Sequence, residues 1–368
     1  MNIIYCSEMN WYKEWWRFDF LDALVELNHK VTYIAPQRLR YYIFRKKRRK
    51  VNHLINYQPY YKLGKNWEKQ VDAMINIIKK NSNENTYIIS NNAKRCNFLK
   101  DYFGNHAVII YDVFDRYSEY GNEYYDKDQL KIKKFDEEEK KTMSKCDMVM
   151  CASQTLLEDA QKFNKNSFWF PNAVSAERIL NHIPRIANKI VGLYSNRLSR
   201  IDTELLMNLA QELPDYQIEI IGKNDLTENR YPDNVIFLPR MPYDQLLKHI
   251  NKWDCGLGLF IKDRFNHYCN PIKFFDYSSK RLPIVSTSIP EAQVFATLYP
   301  DILYLADNAQ EFAKKIRGLD LQHDYTRLAC ENTWEIRAKD LCDRIKSFER
   351  IMIEDKERTY LIKELISD

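Results

Sequence analysis

The chain has 368 residues, 45% hydrophobic and 14% aromatic, which suffices for two packed domains and excludes a largely disordered protein. No apolar run approaches the roughly 20 residues that cross a bilayer, and Met1-Asn2-Ile3-Ile4-Tyr5-Cys6 meets Glu8 too soon for a secretory leader. The net charge of +5 is modest, but Arg38 to Lys50 holds eight basic residues and no acid. The eight cysteines show no paired or zinc-finger spacing, so reduced thiols in a cytoplasmic protein are expected, and no metal site.

In chain order, Asn2–Cys6 reads as a buried strand and Val31–Ala35 as a second. Between them Trp15, Phe18, Phe20, Leu21, Leu24, Val25 and Leu27 form a helical apolar stripe. That is a β-α-β unit, which predicts a parallel sheet. The loop from Ser7 to Tyr12 has no glycine, which excludes the dinucleotide fingerprint. Strands are predicted at Tyr87–Ile89, Ala107–Tyr111, Met148–Cys151 and Phe168–Phe170. Helices at Trp67–Lys80, Lys94–Phe103, Gln129–Lys145 and Gln154–Phe163 alternate with them. Pro171 to Pro184 interrupts the alternation.

A second series follows, with strands at Ile190–Tyr194, Gln217–Ile221, Val235–Leu238, Cys255–Leu259 and Pro283–Ser286. Its helices are Asp202–Leu213, Tyr243–Asn251 and Pro271–Ser279. The charged tail from Thr326 to about Leu365 reads as mostly helical, and part of it is expected to pack on the N-terminal half. The predicted class is α/β, with an N-terminal domain over 1–172, joined by roughly 345–368 of the tail. A linker over 173–185 and a C-terminal domain over 186–344 complete the division.

Asn266 to Thr287 reads as loop, short helix, turn and buried strand. Asn270-Pro271 suits a helix start, with Asn as cap and Pro in the first turn. Lys273 and Asp276 fall three residues apart, on one face. A cation and a carboxylate at a helix N-terminus suit a phosphate and a pair of hydroxyls. By spacing alone the favoured reading is a surface ion pair between them. The basic run is interrupted by aromatic and aliphatic residues, which suits an anionic membrane face, a solvated loop or nucleic acid.

Two successive α/β halves with a Pro-x-Lys-x-x-acid helix late in the second resemble the GT-B glycosyltransferases. The resemblance is to the branch that builds bacterial exopolysaccharide and wall polymers, such as the teichuronic acid glycosyltransferases and the xanthan glucuronosyltransferase. It rests on Ile3-Ile4-Tyr5 with Trp11 and Arg17, on Tyr111-Asp112-Val113-Phe114-Asp115, and on Glu137-Glu138-Glu139. Asp147-Met148-Val149 to Ser153, Pro171-Asn172, Gly192 to Asp202, Ile221-Gly222 and Trp253-Asp254 continue the order.

The resemblance implies two Rossmann-like domains facing each other across a cleft, and a nucleoside-diphosphate sugar, UDP-linked, bound by the second. It implies that Lys273 meets the diphosphate, that Asp276 accepts from the ribose hydroxyls, and that Gly222 lets the nucleotide approach backbone. Asn270, Pro271 and Tyr268 shape the same loop, and Arg197 or Arg200 adds a diphosphate contact. The acceptor is a saccharide or a polyprenyl-diphosphate-linked saccharide, with Trp11, Arg17 and Tyr117 as candidates to hold it. An inverting reaction needs a general base; Asp115 is the candidate and Asp112 the second, although either carboxylate alternatively caps the next element.

Arg38, Arg40, Arg45, Lys46, Lys47, Arg48, Arg49 and Lys50 would hold the protein on the inner face of the cell membrane. No cofactor beyond the nucleotide sugar is expected, and no metal. Three departures from the family pattern leave retention or inversion open. Tyr268 stands eight residues before Asp276, where retaining members have Glu; Asp replaces Glu at 276; and Lys280-Arg281-Leu282-Pro283 lacks the usual glycine. A sugar-nucleotide epimerase on the same fold and a nucleic-acid binder using the basic run are the alternative classes.

Overall fold

The computed structural model describes residues 1–7, 17–37, 54–61, 67–104, 106–120, 128–180, 186–195, 200–222 and 231–367. The chain divides into two compact units. The first comprises Met1–Ile89, Asn105–Val108 and Trp334–Asp368, and the second Ser90–Gly104 and Ile109–Thr333. The first unit orders its strands β3 (Asn56–Tyr61), β2 (Lys30–Gln37), β1 (Asn2–Cys6) and β4 (Thr86–Ser90). The second has β5 (Val108–Val113), β6 (Met148–Cys151) and β7 (Ser167–Trp169) in that order, and a six-stranded sheet ordered β10 (Val235–Leu238), β9 (Gln217–Gly222), β8 (Ile190–Ser195), β11 (Cys255–Gly258), β12 (Ile284–Ser286) and β13 (Leu303–Leu305).

The first unit begins with β1 (Asn2–Cys6), α1 (Arg17–Glu26) and β2 (Lys30–Gln37). Every residue of β1 is buried, as expected of a parallel strand covered on both faces, whose sequence is a continuous apolar run. The parallel pairing sets Ile3 beside Val31 and Tyr5 beside Tyr33. β3 (Asn56–Tyr61) pairs parallel to β2. Its sequence, Asn-Tyr-Gln-Pro-Tyr-Tyr, has no apolar alternation and contains Pro59, which a strand at the sheet edge tolerates. α2 (Trp67–Asn81) and β4 (Thr86–Ser90) follow.

The second unit contains α3 (Ala93–Phe103), β5 (Val108–Val113), α4 (Gln129–Lys145), β6 (Met148–Cys151), α5 (Gln154–Gln161) and β7 (Ser167–Trp169). Polar caps set the helix starts: Asn92 accepts from Arg95 N, and Ser153 from Leu156 N. Then come β8 (Ile190–Ser195), α6 (Thr203–Glu212), β9 (Gln217–Gly222), β10 (Val235–Leu238), α7 (Tyr243–His249) and β11 (Cys255–Gly258). α8 (Arg264–His267), α9 (Ile272–Ser279), β12 (Ile284–Ser286), α10 (Pro290–Leu298), β13 (Leu303–Leu305), α11 (Ala309–Arg317) and α12 (Arg327–Glu331) complete it.

The tail helix α13 (Trp334–Ser367) belongs to the first unit and packs on α1. There Trp334 lies 6.1 Å from Phe20, and the Arg17 guanidinium sits 5.4 Å over the Trp334 ring. That contact desolvates the cation against a π face instead of exposing it.

Two glycines of the second sheet position the site. A Cβ on Gly192 would stand 2.5 Å from the buried Trp253 ring. The Trp253 indole N–H donates to Glu219 at 2.7 Å. Burial opposes ionisation of Glu219, but Lys252, Trp253 and His249 together hold it below the usual carboxylate range. A Cβ on Gly256 would stand 2.2 Å from the Tyr277 ring, so β11 admits Tyr277 of α9 against its backbone. Tyr277 in turn meets Tyr194 edge-on at 5.8 Å.

Candidate active site

With the exception of Arg17, the described candidate residues lie in the second unit. Trp11, Arg197 and the run from Arg38 to Lys50 lie outside the described residues, as does the side chain of Tyr117, whose backbone forms a 3-10 turn over Tyr117–Tyr120. Arg17 is wholly buried in α1 of the first unit.

Asn270 does not cap α9. Its amide nitrogen donates to Glu291 Oε1 at 2.8 Å, its Oδ1 accepts from Asn172 N at 3.0 Å, and its carbonyl accepts from Asn172 Nδ2 at 2.9 Å. Pro271 occupies the cap position, without a side-chain bond. Lys273 and Asp276 share a helix face but make no ion pair with each other.

Lys273 is half-buried as a residue, with its ammonium 4.7 Å from the Phe260 ring and 5.9 Å from the Tyr194 ring. Among the described residues no carboxylate pairs with it, and burial draws its pKa down to about 8. Asp276 is 1% exposed. Its two oxygens accept from the hydroxyls of Tyr194 and Tyr243. Burial raises its pKa, against the opposing effect of those two bonds. Two phenol O–H groups thus sit on the carboxylate that the family resemblance assigns to two ribose hydroxyls. Arg178 stacks 4.9 Å over Tyr243, and the Lys280 ammonium donates to the Arg178 carbonyl.

Around this helix, Gly222 ends β9 opposite Ser195 of β8. Arg200 lies 3.7 Å over the Phe265 ring. Asp112 is fully buried within β5, whereas Asp115, beyond the strand end, is half-buried. Cys269 gathers the pieces. Burial pushes its thiol up to about 12, and it also feels Asp115, Lys273, Arg200 and Glu291. The loop before α9 therefore lies close to the candidate base as well as to the two cations. Tyr268 donates to Asp159 Oδ2 at 3.1 Å and accepts at its carbonyl from Ser153 at 2.9 Å.

Nothing in the sequence marks Glu291, in the first turn of α10, as part of the site. It is fully buried and accepts from Asn270, from Trp169 Nε1 at 3.1 Å and from Gln154 N at 2.9 Å. Burial lifts it to about 7. Ile289-Pro290-Glu291 carries an ordinary helix-start signature, Pro early and an acid in the first turn, which conceals that role. In the sequence Tyr194 and Tyr243 show only as a strand end and a helix start. The sequence also contains one Asp-x-Asp spacing, Asp126-Lys127-Asp128. Asp128 is committed to capping α4 through Leu130 N and Lys131 N, and Asp126 lies outside the described residues.

No family model matches the sequence, and no curated protein matches it. Solved structures do. Anabaena HepE in complex with UDP and glucose superposes with a TM-score of 0.65 at 12% identity, covering 94% of this chain and 100% of that one. The fold is GT-B. Sucrose-phosphate synthase from Thermosynechococcus elongatus matches with a TM-score of 0.67 at 13% identity, over 95% of this chain and 100% of that one. A glycosyltransferase from Rickettsia africae matches with a TM-score of 0.62 at 14% identity, over 94% and 98%. On this GT-B chain, α9 lies beyond the carboxyl end of β11 and before β12, where open parallel sheets bind ligands.

Proposed function

We propose that this chain is a glycosyltransferase that moves a sugar from a nucleoside-diphosphate donor, a UDP-sugar, to a saccharide acceptor. The carrying observation is Lys273: a desolvated ammonium with no carboxylate partner among the described residues, near the start of α9. A cation short of an anion in a low-dielectric site is what a diphosphate leaving group requires. HepE, of the same fold, was crystallised with UDP and glucose and with UDP-glucose, which supports the choice of nucleotide.

In this reading Lys273, with Arg197 or Arg200, meets the diphosphate, so no metal is invoked. Asp276 accepts ribose hydroxyls, exchanging a phenol donor for a sugar one. As the acceptor oxygen bonds to the anomeric carbon, the bond from that carbon to the phosphate oxygen breaks and UDP leaves with the electron pair. In an inverting course Asp115 takes the acceptor proton. The physiological role proposed is bacterial surface-polysaccharide synthesis, with a saccharide or polyprenyl-diphosphate-linked acceptor. The Arg38–Lys50 run would hold the enzyme peripherally on the inner face of the membrane. Among the described residues no helix is long and apolar enough to cross a bilayer.

A melting-temperature panel of nucleotides tests the donor site. UDP is expected to stabilise the wild type, and Lys273→Ala and Asp276→Ala to reduce that stabilisation. Full retention of the UDP response by both variants would refute the assignment.

A further inference from the structure

Beside the donor loop the second unit contains a cavity of about 550 Å3, within the ~300–1,000 Å3 typical of small-ligand sites. It lies among the Tyr117–Tyr120 turn, α4, the end of α5 and Tyr268, and its polar walls include Arg116, Asp136, Lys140, Asp159 and Lys162. Arg116 directly follows the candidate base Asp115, and Tyr268 directly precedes Cys269. Two of its lining residues thus adjoin, along the chain, the candidate base and the donor loop.

The lining holds five cations to three carboxylates, yet each cation has a carboxylate partner, Lys133 meeting Glu137 at 4.0 Å. Arg116 pairs with Asp136 and lies 3.7 Å from Glu139; Lys140 meets Asp136 at 2.6 Å, Lys162 meets Asp159 at 2.7 Å, and Arg264 meets Glu119 at 2.8 Å. A phosphate entering here faces carboxylates as well as cations, and an aliphatic chain faces charged walls. Sugar hydroxyls suit both partners, donating to carboxylates and accepting from guanidinium and ammonium groups. The carboxylates stay ionised for that task. Burial works against them, but Lys140 and Arg116 hold Asp136 below the usual range, as Lys162 and Tyr268 do Asp159. Arg116 retains an Nη1 without a hydrogen-bond partner. The half-buried Tyr268 ring, with Arg116 5.9 Å from its centroid, adds an aromatic surface for a sugar face.

We propose that this cavity is the acceptor subsite and that it takes an uncharged saccharide through its hydroxyls; the inference rests on the transferase reading above. Saturation-transfer NMR of the full chain with UDP tests it, using methyl glycosides of neutral hexoses and the matching hexose 6-phosphates. The neutral glycosides are expected to bind. Asp159→Asn should weaken them about tenfold, the loss of one charge-assisted hydrogen bond, while leaving the UDP-induced rise in melting temperature intact. Binding of the phosphates alone, binding of neither series, or undiminished binding by a folded Asp159→Asn would each overturn the subsite while leaving the donor site standing. Loss of any UDP response in the wild type would instead sink the transferase reading, and this inference with it.

Discussion

Glu291→Gln isolates the contact that anchors the start of α9. One glutamate oxygen accepts from Asn270 and Trp169, the other from the Gln154 backbone. If the glutamine carbonyl keeps the first pair, its amide nitrogen opposes the Gln154 N–H. If it turns over, two bonds fail. Asn270 cannot flip in compensation, because its Oδ1 already receives Asn172 N. One buried donor facing another costs about 1–3 kcal/mol, or roughly 2–10 °C in melting temperature for a body of this size.

The pH dependence carries a sign. Burial lifts Glu291 from 4.5 to about 7. A raised carboxyl pKa stabilises the fold most while the group is protonated, so its contribution is full below about 4.5 and is lost as pH rises through about 7. A protonated carboxyl still accepts at both oxygens, whereas glutamine does not titrate. The wild type should therefore lead the variant by most near pH 5, and the lead should shrink towards pH 8. Thermal melts of both proteins across that range, followed by circular dichroism, make the comparison. Equal melting temperatures at about pH 5, or a lead that grows with pH, would refute the reasoning.

Four further outcomes are expected. Because the Lys273 ammonium begins to lose its proton near pH 8, UDP affinity by calorimetry should fall above that pH, by up to about tenfold per unit, and Lys273→Arg should remove the fall. Gly256→Ala, whose Cβ would stand 2.2 Å from the Tyr277 ring, should cost about 1–3 kcal/mol of urea stability. Gly318→Ala, with its nearest contact at 3.4 Å, should cost less than about 1 kcal/mol. Replacing Arg45–Lys50 by serine should abolish pelleting with anionic liposomes at low salt, since each basic residue near such a surface contributes about 1 kcal/mol; unchanged pelleting would remove the membrane argument.

The fold was legible where strands are continuous apolar runs, as in Asn2–Cys6 and Met148–Cys151, or where helices have clean ends, as in Gln129–Lys145. It was illegible at β3, where tyrosines, amides and Pro59 replace the alternation. It was also illegible in α10, β13 and α11, a helix–strand–helix series with only a three-residue strand. The stretch around Lys273 and Asp276 could be found because a Pro-x-Lys-x-x-acid spacing is local. Their partners could not. Tyr194, Tyr243 and Glu291 come from three other elements, and only the folded sheet brings them to α9. Spacing alone suggested a surface ion pair at positions 273 and 276. Instead the cation lies against aromatic rings and the buried carboxylate under two phenols, so each finds its contacts on other elements.

The central claim is tested most directly by supplying a panel of UDP-sugars with saccharide and lipid-linked acceptors, then following UDP release together with the sugar's arrival on the acceptor. One donor is expected to yield UDP and glycosylated acceptor in equal amounts, with Lys273→Ala losing most of that turnover. An altered free nucleotide sugar formed without acceptor, or no turnover alongside tight RNA binding, would contradict the account.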